Sequence, residues 1–514
     1  MREDELPNDI YRLKEMLIEK NKIIDEHQKK LQEKEQKIHN LQDLVNLLQK
    51  RKFAPQSEVV SSEQLGLFNE IEDLIHTPFE DEEDDSEEET SDKKPRKKRR
   101  PRLPENLPRE EIIIDLEEKD KICPHDGAIL EKVGEEVSEK LEIIPAKAIV
   151  KKTIRLVYAC PCCDEGMKTP AVEASLLPKT MASASLVAFI LISKFMDALP
   201  LYRQEAIFKR IGVLLSRGTM ARWLIEVSKK LMPLYNLLQE ELLARDYLHM
   251  DETTVQVLKE DGKKATSKSW MWVRYSGTGP PIILYDYSPS RSGQVPLELL
   301  EGFSGYLQVD GYDGYSAVCE KNKLTRIGCM DHARRKFTDA FKTSGSKDIG
   351  KRALVYFKLL YKIEEDIAER TPEEKLKVRQ EKSKSIITEM KEWVDSKKEK
   401  VTPQSVGGKA LNYFVNEYEY LIGYLEDGRL NISNAPVENK IRPFAIGRKN
   451  WLFSHSVEGA QASAMFYSLI ETAKANNADP FDWMRRVLEK LPHAETVEDY
   501  EELLPFSKKM ISES

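Results

Sequence analysis

Two short apolar runs in this chain each stop at an aspartate, and nothing else in the sequence constrains its fold as tightly. Tyr247 to Met250 leads into Asp251, and Tyr306 to Val309 leads into Asp310. Short runs rich in apolar, β-branched and aromatic residues, bounded by polar or turn residues, read as strands. An acid at the end of such a strand stands where open α/β sheets carry their chemistry. A third acid, Glu438, falls in the first turn of a helix that Pro436 opens. Each is only one of 88 Asp and Glu, most of which belong on solvated surface, so position rather than identity singles them out.

The surrounding pattern predicts further strands at Ser269–Tyr275, Ile282–Tyr287 and Thr325–Cys329, with helices after the third and fourth strands. Three strands, helix, strand, helix, strand is the order of a ribonuclease H-like α/β core. It is predicted over residues 241–455, with a charged helical insertion at about 342–427. Carboxylates on that scaffold suit Mg²⁺, a hard cation that takes oxygen ligands. Two such ions can hold the attacking and leaving oxygens of a phosphodiester, so Asp251, Asp310 and Glu438 are predicted to be metal-binding catalytic residues of polynucleotidyl transfer. By contrast Glu364 reads as a surface acid, and Cys319 and Cys329 read as core thiols.

Upstream of the core the chain changes character several times. Residues 1–55 carry a seven-residue apolar stripe, Ile10, Leu17, Ile24, Leu31, Ile38 and Val45, with a partner seam that is apolar only at its ends. This predicts a coiled-coil helix that self-associates. Residues 56–108 read as a disordered linker: 80–92 hold ten acids, and Lys93 to Arg102 hold eight bases. The net charge of −8 therefore says little about DNA affinity, because the charges are segregated. At 109–178, alternation in Lys140–Ile144 and Ile149–Tyr158 predicts strands between two cysteine knuckles. Tetrahedral Zn²⁺ takes four S or N ligands from two such turns. Cys123, Cys160 and Cys163 are the candidate ligands of a zinc-ribbon-like module, with His125 or Asp126 completing the set. Over 179–240 the pattern is helical and resembles a helix-turn-helix, in which Gly212 ends the first helix, Ser216 caps the second, and Arg217 and Arg222 project toward DNA. Residues 456–514 read as helical.

These motifs together resemble the transposases of the bacterial insertion sequence sixty-six family, over nearly the whole chain. The resemblance rests on the zipper-like N-terminus, the finger module, Leu199 to Gln204, Asp251-Glu-Thr, Gln308 to Tyr312, Cys329 to Arg335 and Arg442 to Phe453. It implies a DNA transposase with an Asp251, Asp310, Glu438 triad, cutting element ends and joining their 3′-hydroxyls to target DNA. Two sequence departures stand out: Asp126 replaces a finger cysteine, and Asn439 stands where an arginine usually follows the glutamate. The expected cofactors are two Mg²⁺ per active site and a structural Zn²⁺. Expected partners are double-stranded DNA (terminal repeats and target), a second copy of the chain and small accessory proteins. Phosphate contacts are expected from His332, Arg334, Arg335, Lys440, Arg442, Arg448 and Lys449. No run approaches the ~20 apolar residues of a spanning helix, and no signal peptide is evident, so the expected setting is the bacterial cytoplasm, at the nucleoid. The alternatives from other classes are a non-catalytic DNA-binding relic and a structure-specific nuclease of the same fold.

Overall fold

The computed structural model describes residues 148–159, 167–507 and 510, together with helical positions 11, 14, 19–22, 27 and 34. The apolar stripe, the charged linker and all five candidate zinc ligands lie outside the described residues. The chain divides into two units, Thr77–Ala171 and Met1–His76 with Val172–Ser514. Among the described residues of the first, Tyr158–Ala159 and Met167–Lys168 pair, antiparallel, where a strand from Ile149 was predicted. Ile149, Val150 and Ile154 are exposed, so the alternation there has no buried face to serve.

In the second unit one mixed sheet organises everything else. Its strands are β1 (Tyr247–Lys259), β2 (Lys268–Ser276), β3 (Ile283–Ser288), β4 (Tyr306–Gln308), β5 (Thr325–Ile327) and β6 (Ser454–Ser456). The order is β3-β2-β1-β4-β5, with β6 on the far part of β1. β1 to β3 form an antiparallel meander, whereas β4 and β5 join in parallel through the crossover helices α5 (Gln294–Leu299) and α6 (Ser316–Asn322). Parallel pairing needs such crossovers because a tight turn cannot reverse the chain twice.

Among the described residues from 172 on, four helices precede the sheet: α1 (Ala184–Phe195), α2 (Leu201–Arg210), α3 (Arg217–Lys230) and α4 (Met232–Leu243). α2 and α3 are the predicted helical hairpin. Gly212 takes φ +81°, and the Ser216 hydroxyl accepts from the Thr219 amide as the N-cap of α3. These helices share one buried cluster with β1–β3 and with α12 (Ala435–Trp451), α13 (Val457–Ala475) and α14 (Pro480–Lys490). A short final helix, α15 (Val497–Glu502), follows.

A second buried cluster belongs to the segment after β5. There α7 (Met330–Phe341) leads into the predicted insertion, which α8 (Lys347–Asp366), α9 (Pro372–Val378), α10 (Lys384–Lys398) and α11 (Val406–Leu421) occupy. Glu364 is not a surface acid: it holds the buried Arg379 through two bonds of 2.9 and 2.6 Å. The sequence window around Glu364 is charged on all sides, and only the fold shows which base it serves.

Candidate active site

The sheet sets Asp251 and Asp310 side by side. β1 pairs with β4 in parallel, and the ladder stops at His249 opposite Gln308. Asp251 and Asp310 each stand two residues further on, so their side chains leave the same face of neighbouring strand paths, about 4.8 Å apart. Asp251 lies inside β1, which corrects the expectation that its strand ends there. Thr253 to Leu258 is also β-forming, and β1 runs on against β2 as far as Gln256 opposite Lys268. The strand that ends is its parallel neighbour.

Asp310 is fixed by its own turn. Its Oδ1 accepts from the Tyr312 amide at 3.0 Å, and its carbonyl accepts from Arg326 at 2.8 Å. The turn is drawn against the loop after β3, where a Cβ on Gly293 would come within 2.8 Å of the Gly314 carbonyl. Glu438 arrives from α12, whose first residues include Pro436 as predicted. Buried Asn434 pins that end: its amide side chain meets His249 at 2.9 Å and donates to the Met250 carbonyl at 3.1 Å. Its backbone N–H meets Cys329 Sγ at 3.2 Å.

Asp251 feels both other acids. Burial raises the Asp251 carboxyl well above the usual aspartate range, and Glu252, Glu438 and Asp310 add to the rise in that order. Glu438 is 5 % exposed; its Oε2 accepts from Arg335 at 2.6 Å, while its Oε1 has no hydrogen-bond partner among the described residues. A buried carboxylate oxygen without a donor is costly unless a cation completes it. Clustered, mutually repelling carboxylates with one open oxygen fit a hard divalent cation. The three residues have the donor chemistry that the expected Mg²⁺ requires.

Two flanking groups, Glu252 and Arg291, were not singled out in the sequence. Glu252, the next residue in β1, accepts from Tyr315 at 2.7 Å and from Arg291 at 2.6 Å. Arg291 also stacks on Tyr312, 4.0 Å from the ring centroid, and so ties β1 to the turn that carries Asp310. Arg291 sits in a loop with no pattern of its own, so nothing local signals that partnership. Burial holds His332 below the ordinary imidazole range, and its Nδ1 stands 3.7 Å from Glu438 Oε1.

The predicted phosphate contacts divide into distinct settings. His332 and Arg335 face Glu438, and Arg334 pairs with Asp331 at 3.2 Å. On α12, Lys440 lies over the Tyr275 ring, and Arg448 donates to the Thr253 and Thr254 hydroxyls at 3.1 Å, which fastens the helix to β1. Arg442 is half-buried and Lys449 exposed on the same helix; Arg217 and Arg222 are exposed on α3.

Known families place this chain in a class of mobile-DNA proteins. Residues 179–462 match the transposase IS66 family, 120–164 the zinc-finger binding domain of transposase IS66, and 468–506 the IS66 C-terminal element. Residues 40–112 match the element described as Transposase C of IS166 homeodomain. The chain belongs to the IS66 family of transposases, which implies DNA transposase activity. Among its relatives in Sinorhizobium fredii (strain NBRC 101917 / NGR234), uncharacterized protein y4jD is 34% identical over 79% of this chain and 81% of its own. Uncharacterized protein y4qI is 32% identical over 92% of this chain and 90% of its own. No helix among the described residues is long and apolar enough to cross a membrane.

Proposed function

We propose that this transposase cuts the ends of its element and joins the 3′-hydroxyls to target DNA at Asp251, Asp310 and Glu438, on a ribonuclease H-like sheet. The strand order β3-β2-β1-β4-β5, antiparallel then parallel, supports the fold reading. The observation that carries the site is that Asp310 and Glu438, 59 and 187 residues beyond Asp251 in sequence, both stand close enough to Asp251 to raise its carboxyl. Two divalent cations bound there would supply Lewis-acid activation of water or the 3′-hydroxyl and neutralise the leaving oxygen.

Asp251 and Asp310 would hold both ions from adjacent strand paths, and Glu438 would offer Oε1 to one of them. Arg335 would keep the Glu438 carboxylate oriented through Oε2. Arg217 and Arg222 on α3 would grip the element end, with Lys440, Arg442 and Lys449 along the approach to the cleft. Arg448 serves that approach indirectly, by fastening α12. His332, Arg334 and Arg335 would reach phosphate only as neighbours of the carboxylates they pair with. Outside the described residues, a zinc module would use Cys123, Cys160 and Cys163 with His125 or Asp126, and residues 1–55 would join copies as a coiled coil.

The test is incubation of the full-length protein with labelled DNA carrying the element's ends. Nicked and joined products should form with Mg²⁺ and vanish with chelator. Cleavage that persists without any divalent cation would overturn the proposal.

A further inference from the structure

Beside the hard carboxylates lies a donor set of another kind. Cys329 Sγ, a ring nitrogen of His332 and a carboxylate oxygen of Glu438 all lie within 4.8 Å of one another. Cys329 caps the start of α7 and His332 stands three residues later, so both side chains fall on one face of that helix. Glu438 faces them from α12.

His332 Nδ1 and Glu438 Oε1 are both buried without a hydrogen-bond partner among the described residues. Their 3.7 Å separation is too long for a hydrogen bond. It is the right separation for two ligands of one ion: bond lengths of ~2.0–2.3 Å in a tetrahedral shell put ligand atoms roughly 3.3–3.8 Å apart. The widest separation in the set is at most 4.8 Å.

We propose that Cys329, His332 and Glu438 form a site for a borderline-soft divalent cation, zinc foremost, whose occupation withdraws Glu438 from the catalytic set and switches the centre off. Sulfur and imidazole suit zinc, while magnesium keeps to oxygen. Three protein donors leave a fourth position for water, as in open zinc sites. On binding, the Cys329 thiol gives its proton to solvent, and the thiolate forms the zinc–sulfur bond. The Asn434 N–H already directed at Sγ supports that thiolate, and Arg335 on Oε2 orients the carboxylate. The 3.4 Å contact of Arg335 with His332 Nε2 lapses as that nitrogen takes the ring proton.

The switching consequence rests on Glu438 belonging to the catalytic set; the binding does not. Titration of the full-length chain with Co²⁺, a coloured stand-in for zinc, separates the two. Wild type should take up one equivalent more than Cys329→Ser or His332→Asn, whether or not the finger module also binds. Equal uptake in all three, with matching melting curves, would overturn the site. Zinc should inhibit Mg²⁺-supported end cleavage by wild type, and Cys329→Ser should need at least ~10-fold more zinc for the same inhibition. Equal zinc sensitivity despite the lost equivalent would overturn the switch. If the extra equivalent binds but wild type cleaves nothing in Mg²⁺, the catalytic reading fails and the metal site stands.

Discussion

At the scale of single residues, the site stores repulsion. Asp251 has its pKa raised in the folded chain, so the folded state disfavours its charge. That cost is absent below the ordinary aspartate range, grows as pH passes it, and is complete above the raised folded value. Asp251→Asn should therefore raise the Tm of metal-free protein at pH 8 by about 1–2 °C, the shift that ~1 kcal/mol produces in a unit of several hundred residues. At pH 3.5 the difference should disappear, and thermal melts at both values check the sign. The aspartates and the glutamate were legible because each ends an apolar run or opens a helix. Glu252 and Arg291 were not, and Arg335 was read only as a phosphate contact rather than as the partner of Glu438, because an ion pair formed across the fold leaves no local trace. Glu364 taught the same lesson in reverse: a charged neighbourhood in sequence hid a buried partner, Arg379.

At the scale of elements, the helical hairpin was readable because its signals are local, a glycine at positive φ and a serine cap. Arg217 and Arg222 stand exposed on α3. Changing both to Ala should weaken binding of end DNA and lower the slope of log K against log salt by about 2, near one unit per lost phosphate contact. Fluorescence anisotropy over a salt series measures this. The end of β1 was misread because the run of Thr and Val after Asp251 continues to pair, and it is the shorter β4 that stops. The edge of β3 shows a device no pattern predicts. The Ser468 and Thr472 hydroxyls on α13 accept from the Tyr285 and Ile283 amides at 2.8 and 3.0 Å, closing an otherwise open strand edge. Ser468→Ala leaves one buried amide unpaired and should cost about 1–3 kcal/mol in denaturant unfolding.

At the scale of the whole molecule, one seven-residue stripe and one carboxylate cluster make different demands on the chain. If the stripe from Ile10 to Val45 joins copies, removing residues 1–55 should leave a folded protein of lower mass in light scattering; an unchanged mass would contradict it. The order of strands was legible because alternation and helix periodicity follow directly from the residues. The sharing of one core between the helical hairpin and the sheet was not, since amphipathic faces do not name their partners. The claim on which the rest depends is that Asp310 works with Asp251 and Glu438 on DNA. The direct measurement is end cleavage and strand transfer in Mg²⁺ by Asp310→Asn, which keeps size and polarity and removes the charge. Glu399→Gln, at an exposed position on the insertion, serves as the control. Asp310→Asn should lose activity by orders of magnitude while still binding end DNA and melting as a folded protein, with the control unchanged. Cleavage by Asp310→Asn at near the wild-type rate would contradict the account.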